Sequence, residues 1–328
     1  MHYLKLLVVD DEPINLTLLG EILKGDYALS FARNGTEALG LAEKLHPALI
    51  LLDIGLPDIS GFEVCKQLKR NPATENIPVI FVTGSSDLQS EELGFKVGCV
   101  DYLSKPISPP IVLARVRTHL SLVRSADLEN SYRETVYMLG QAGHYSDNDT
   151  GVHIWRMAAY SRVLAEEVGW KRESATLLEL AATLHDTGKI GIPDAILKKP
   201  TALEQDEWGI MKTHAVIGHD ILIKSHAPLF QLAAEIALRH HEKWDGTGYP
   251  DGLVGTATPE SARIVAIADV FDALSMKRPY KEAWSLEAIL VHLRQQSGQH
   301  FDPAVVKAFE SCLPRILEIK ADWHNRTN

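Results

Sequence analysis

Leu4-Lys5-Leu6-Leu7-Val8-Val9-Asp10-Asp11 opens the chain with a short apolar run that stops at two carboxylates. A run of this length, with little alternation, suits a strand buried on both faces. Four more follow: Ala28 to Ala32, Leu49 to Leu52, Val79 to Val82, and Tyr102 to Leu103. Between them, Ile14 to Leu23, Thr36 to Leu45, Phe62 to Lys69 and Asp87 to Val97 carry apolar residues at helical spacing. Strand and helix in alternation predict an α/β fold with a doubly wound parallel sheet. Ligands gather at the carboxyl ends of the strands in such sheets, so the residue after each run matters most.

Those residues are Asp10 and Asp11 after the first run, Asp53 after the third, Thr83 after the fourth, and Lys105-Pro106 after the fifth. Converging carboxylates suit a hard divalent cation such as Mg2+, which takes oxygen ligands. Asp53 could then attack a phosphoryl donor while the metal and Lys105 offset the charge on the transferring oxygens. Thr83 could hydrogen-bond the phosphoryl group once it arrives.

This segment resembles the receiver domain of two-component response regulators, a flavodoxin-like fold. The likeness is carried by Val8-Val9-Asp10-Asp11-Glu12, Leu52-Asp53-Ile54-Gly55-Leu56-Pro57-Asp58, Val82-Thr83-Gly84 and Tyr102-Leu103-Ser104-Lys105-Pro106. The resemblance implies phosphorylation of Asp53 by a sensor histidine kinase. It also implies a Mg2+ site at Asp10, Asp11, Asp53 and the Gly55 carbonyl, and a switch formed by Thr83 and Tyr102 with Lys105.

Beyond Ser108 the helical pattern continues through Ile111, Val116 and Val123 toward Leu139, as a long connecting helix would. The rest reads as helices and loops, with its main irregular stretch at Asp245 to Pro259. The expected organisation is a receiver at 1–121, a connecting helix at 122–140 and an all-α domain at 141–328. A chain of 328 residues accommodates two cores.

Composition narrows the function classes. The net charge of -10 argues against a nucleic-acid binder, which usually needs a basic face, and DNA is therefore not an expected partner. No stretch approaches the ~20 apolar residues of a membrane helix, and the start lacks a secretory pattern. A cytoplasmic protein without a membrane partner is expected. Cys65, Cys99 and Cys312 stand singly and read as reduced packing residues.

Most of the fourteen histidines lie after Gln141, in segments that also carry aspartate. Asp149 and His153 are four apart, which places them on one face of a helix. Adjacent His185 and Asp186 would diverge by about 100° on a helix and could serve neighbouring ions. Imidazoles mixed with carboxylates suit iron, manganese or zinc at a catalytic site. Two such ions about 3.5 to 4 Å apart can generate hydroxide and neutralise a phosphodiester. Lys189, close to the pair, can add a fixed positive charge.

The segments Asp149 to His153, His185-Asp186-Thr187-Gly188-Lys189, Lys212-Thr213-His214 with Gly218, His240 to Pro250 and Ile267-Ala268-Asp269 resemble the HD-GYP branch of the HD phosphohydrolases. Gly248-Tyr249-Pro250 is the name motif. The resemblance implies metal ligands at His153, His185, Asp186, His214, His240, His241 and Asp269. It implies catalytic roles for His185, Asp186 and Lys189, with Lys189 on the scissile phosphate and Arg278 and Lys281 binding substrate. Many members carry Glu where this chain has Asp149, so two ions are implied, or three if Asp149 reaches one. Iron or manganese is the expected metal.

The implied activity is hydrolysis of cyclic di-GMP to linear pGpG and onward to GMP, controlled by Asp53. Two alternatives remain at this stage: a hydrolase preferring cyclic GMP-AMP, or a cyclic-dinucleotide receptor or scaffold without turnover. The connecting helix suggests a homodimer. His2, His46, His119, His144, His219, His226 and His292 read as packing or surface residues.

Overall fold

In a computed structural model of the chain, residues 3–84, 88–144, 152–276 and 283–327 are described. They divide into two compact units, Met1–Asn130 and Ser131–Asn328.

The first unit alternates β1 (Lys5–Val9), α1 (Pro13–Leu23), β2 (Ala28–Ala32), α2 (Gly35–Leu45), β3 (Leu49–Asp53), α3 (Gly61–Arg70), β4 (Val79–Thr83), α4 (Leu88–Val97) and β5 (Asp101–Ser104). All strand pairs are parallel and the order is β2-β1-β3-β4-β5. Successive side chains point to opposite faces of a strand. Leu7, Val9, Ile50, Leu52, Val79 and Phe81 therefore enter one core with Ala38 and Val64, while Leu6, Val8, Leu49, Leu51, Ile80 and Val82 enter another with Leu19 and Val116. Two covered faces explain why these runs are apolar throughout.

β5 is longer than its apolar pair suggested, because backbone pairing carries on through Asp101, opposite Ile80, and Ser104, opposite Thr83. The registers also bring the strand ends level: Val9 lies beside Leu52, and Asp53 beside Val82. The side chains of Asn34 and Ser60 cap α2 and α3. Asp58 accepts from Gly35 N, Thr36 N and Thr36 Oγ1, and these bonds hold its carboxyl well below the usual range.

Helix α5 (Pro109–His144) places Val112, Val116 and Leu120 in the first unit's core and Val136 in the second's. The second unit continues with α6 (Val152–Glu167), α7 (Arg172–Ala182), a 3-10 turn (Thr187–Gly191), α8 (Asp194–Leu197), α9 (Gln205–Lys212), α10 (His214–Leu222), α11 (Pro228–Arg239), α12 (Glu260–Ser275), α13 (Leu286–Gln295) and α14 (Pro303–Thr327). Its isolated bridges, Asp245 with Val254 and Ser297 with Phe301, build no strand among the described residues. Helix α12 buries Ile264, Val265, Ile267, Ala268 and Phe271, which marks it as the central helix. No helix among the described residues is long and apolar enough to cross a membrane.

Candidate functional site

Five segments of the second unit bring their polar ends together. His153 sits in the first turn of α6, and His185 and Asp186 lie in the turn between α7 and the 3-10 segment that carries Lys189. His214 begins α10, His240 and His241 follow α11, and Asp269 lies on α12. The ligand atoms form two groups. Asp186, His214, His240 and His241 make one, and His153, His185 and Asp269 the other, with the atoms of each group within 4.8 Å of one another.

Because His185 and Asp186 stand in a turn, they do not diverge as helical neighbours would; His185 Nε2 lies 3.2 Å from Asp186 Oδ2. The other oxygen, Oδ1, lies 3.4 Å from His214 Nε2 and 3.7 Å from His240 Nε2. This carboxylate therefore faces both groups. Lys189 Nζ is 2.8 Å from Asp186 Oδ2 and holds a positive charge at the same edge.

The ring orientations answer whether these residues fit metal ions. Nδ1 of His185 donates to Ala182 O at 2.9 Å, that of His214 to Met211 O at 2.8 Å, and that of His240 to Ile236 O and Ala237 O at 3.1 Å. A carbonyl can only accept, so Nδ1 carries a proton in each ring, and in the neutral rings of His214 and His240 Nε2 keeps its lone pair. Among the described residues, the Nε2 atoms of His214 and His240 are buried without a hydrogen-bond partner. Unmet buried polar atoms are rare and costly, and a cation between these groups would satisfy them.

Charge supports the same reading. Burial, with neighbouring imidazoles, holds His240 well below the ordinary histidine range and pushes His241 down to about 3. Burial also lowers His214. These rings stay neutral, as metal ligands must. His153 behaves oppositely: burial opposes its charge, but hydrogen bonds to Asp269 and Asp272 prevail and raise it to about 10. Burial opposes the ionisation of Asp269 too, yet His153 and His185 hold its carboxyl well below its usual range. Surroundings that stabilise an imidazolium so strongly also favour a bound cation.

A loop closes over the paired histidines. Glu242, 3% exposed, accepts from Asp251 N at 2.9 Å and Leu253 N at 3.0 Å, and Tyr249 N donates to His241 O. The Tyr249 ring stacks on His241 at 4.7 Å, and Lys212 Nζ lies 5.3 Å from the Tyr249 ring centre. Gly248 is required here for space rather than for an unusual dihedral, since a Cβ would come within 2.3 Å of Lys243 N.

In the first unit, Asp10, Asp11 and Asp53 bring carboxylate oxygens within 4.8 Å of one another. Lys105 Nζ bridges Asp10 at 2.9 Å and Asp53 at 3.2 Å. Burial raises the Asp53 carboxyl, and Lys105 works against that rise. Thr83 ends β4, while Tyr102 packs inward against Phe81 and Phe95. Gly55 lies in the loop that follows β3, two residues past Asp53.

Asp149, Arg278 and Lys281 lie outside the described residues. The sequence reading passed over Asp272, Arg156 and Glu242, which support the site from behind. The available signal was spacing: Arg156 lies three residues after His153, and Asp272 three after Asp269.

Comparison with known proteins places both units in families. The HD domain family matches residues 127–305, and the response regulator receiver domain family matches residues 6–117. The chain is 42% identical to a probable cyclic di-GMP phosphodiesterase of Vibrio cholerae, across 93% of this chain and 76% of that one. It is 38% identical to the cyclic di-GMP phosphodiesterase response regulator RpfG of Xanthomonas campestris pv. campestris, across 93% and 86%. The 3'3'-cGAMP-specific phosphodiesterase 2 of Vibrio cholerae is 45% identical across 60% of this chain and 37% of its own length. With both domains matched and the likeness spanning nearly the whole chain, the protein belongs to the response regulators that join a receiver domain to an HD-GYP hydrolase domain.

Proposed function

We propose that this chain hydrolyses cyclic di-GMP to linear pGpG and then to GMP, and that phosphorylation of Asp53 controls the reaction. The observation that carries the proposal is the pair of ligand groups sharing Asp186, seven side chains drawn from five separate segments. The relatives named for cyclic di-GMP and matched over most of the chain support the substrate.

His153, His185 and Asp269 would hold one ion and His214, His240 and His241 the other, with Asp186 between them. The mixed imidazole and carboxylate set suits iron or manganese. When bound, such ions supply charge neutralisation at the phosphate and a water made acidic enough to attack near neutral pH. Lys189 holds the scissile phosphate by its non-bridging oxygens. Tyr249 offers a flat face for a base, and Arg278 and Lys281 bind the remaining phosphate or guanine edges. Water adds to phosphorus, the bond to the 3′ oxygen breaks, and that oxygen leaves with a proton.

In the receiver, Asp10, Asp11, Asp53 and the Gly55 carbonyl would hold Mg2+, and a sensor histidine kinase would supply the phosphoryl group. Asp53 is the acceptor, since Lys105 lies within reach to balance the incoming charge. Thr83 and Tyr102 respond, and α5 carries the response onward with association of two copies along it.

The test is turnover of cyclic di-GMP and of cyclic GMP-AMP by protein loaded with manganese or iron, beside the same protein stripped by a chelator. Loaded protein should cleave cyclic di-GMP faster, and stripped protein should fall to background until metal is restored. Faster cleavage of cyclic GMP-AMP would favour the second reading, which the 45% identity to the cGAMP-specific relative supports. Tight binding with no product after long incubation would replace the enzyme with a receptor.

Asp53→Asn isolates the control step. The substitution keeps the shape but removes the nucleophilic oxygen. Uptake from a small-molecule phosphoryl donor should drop to background, and the hydrolysis rate should cease to change when the donor is added. A variant that still accepts the phosphoryl group would move the acceptor away from Asp53.

A further inference from the structure

His153 is held differently from the other rings around it. His185, His214 and His240 are each aimed by backbone carbonyls. Nδ1 of His153 instead donates to a side chain, Asp272 Oδ2, at 2.6 Å. Asp272 is 1% exposed and is gripped by Arg156, whose Nε donates to Oδ1 and whose terminal nitrogen donates to Oδ2, both at 2.8 Å. Arg156 is 6% exposed. The planar fork of the guanidinium fits the carboxylate at two points, which fixes its rotation as well as its position.

The geometry points to Asp272, locked by Arg156, as a positioning residue that sets the tautomer and aim of His153 and thereby the affinity of the ion on the His153, His185 and Asp269 side. The inference rests on the metal-centre reading above. With Nδ1–H committed to Asp272, Nε2 is turned toward Asp269, 3.3 Å away, and is the nitrogen that would give up its proton to an incoming ion. A carboxylate behind a ligating imidazole also makes the ring a stronger donor, and losing such a partner typically weakens metal affinity by 10- to 100-fold. In the other group His214 and His240 rely on backbone carbonyls instead. The two ions are thus held by unequal means, and a change at Asp272 should be felt by one of them.

Asp272→Leu removes the acceptor but takes a two-point carboxylate partner from the buried Arg156 charge, which by itself threatens folding. The double variant Arg156→Met with Asp272→Leu removes both charges, leaves His153 unsupported, and serves as the second measurement. Manganese binding to the full chain would be followed by calorimetric titration and metal content, with thermal unfolding of the metal-free protein alongside. The second unit of wild type should take up two ions, apart from any held by the receiver carboxylates Asp10, Asp11 and Asp53. The double variant should regain metal-free stability relative to Asp272→Leu, yet bind one ion about 10- to 100-fold more weakly with the other unchanged.

Two wild-type binding steps in the double variant would overturn the positioning role. So would equal weakening of both steps, which would mean a general structural effect. Recovery of affinity together with stability would likewise assign Asp272 to packing alone. Failure of the wild type to bind manganese would instead overturn the metal centre itself, so the two readings fail in distinguishable ways.

Discussion

Replacing His185 and Asp186 together by alanine is expected to lower phosphodiester hydrolysis by at least about 10^3-fold, equivalent to about 4 kcal/mol of lost transition-state stabilisation. The reason lies in the position of one carboxylate. Asp186 faces His185 through one oxygen and His214 and His240 through the other, so both ligand groups lose a member when the pair is removed. Lys189 would also lose its ion pair with Asp186. Bound metal should fall in parallel with the rate, because the one carboxylate that faces both groups is gone and the His153 and Asp269 side has lost an imidazole. Turnover and metal content of the same preparation check this. Wild-type rates in the double variant would remove these residues from the chemistry.

Gly188→Ala should be nearly as damaging, without touching a ligand. An added Cβ would lie 1.9 Å from His214 O and 2.4 Å from Gly218 N, inside backbone rather than beside a flexible side chain. Either the 3-10 turn or α10 must move, and that separation pulls Asp186 and Lys189 away from His214. A loss of about 3 kcal/mol is expected for such overpacking. For a unit of this size the melting temperature should fall by roughly 10 °C, with the hydrolysis rate reduced well beyond the loss of folded protein. Gly209→Ala is the matched control. Its Cβ would meet nothing within 4 Å on the exposed helix α9, so stability should hold or rise by about 0.5 to 1 kcal/mol. Thermal unfolding of the two variants separates close approach from any general effect of adding a methyl group.

The receiver was the more legible half. Its strands are short and apolar, and each chemically important residue sits at or just past the end of a run, so linear order alone placed Asp10, Asp53, Thr83 and Lys105 in one pocket. The parallel registers then bring those ends level. In the second unit the ligand types could be named from their motifs, but their grouping could not. His153 and Asp272 are separated by 119 residues and meet only because α6 packs on the central helix α12. The turn at His185 and Asp186 also went unread, since the helical spacing around it gave no sign that α7 stops at Ala182.

By itself, the sequence determined the two folds and the inventory of imidazoles and carboxylates, with Asp53 at the end of a strand, because periodicity and motif order are local properties of the chain. Tertiary structure decided that Asp186 faces both ligand groups, that Gly188 and Gly248 must lack side chains, and that Asp272 and Arg156 stand behind His153. Those features depend on distances between helices far apart in sequence, and close packing sets such distances to within the width of one methyl group.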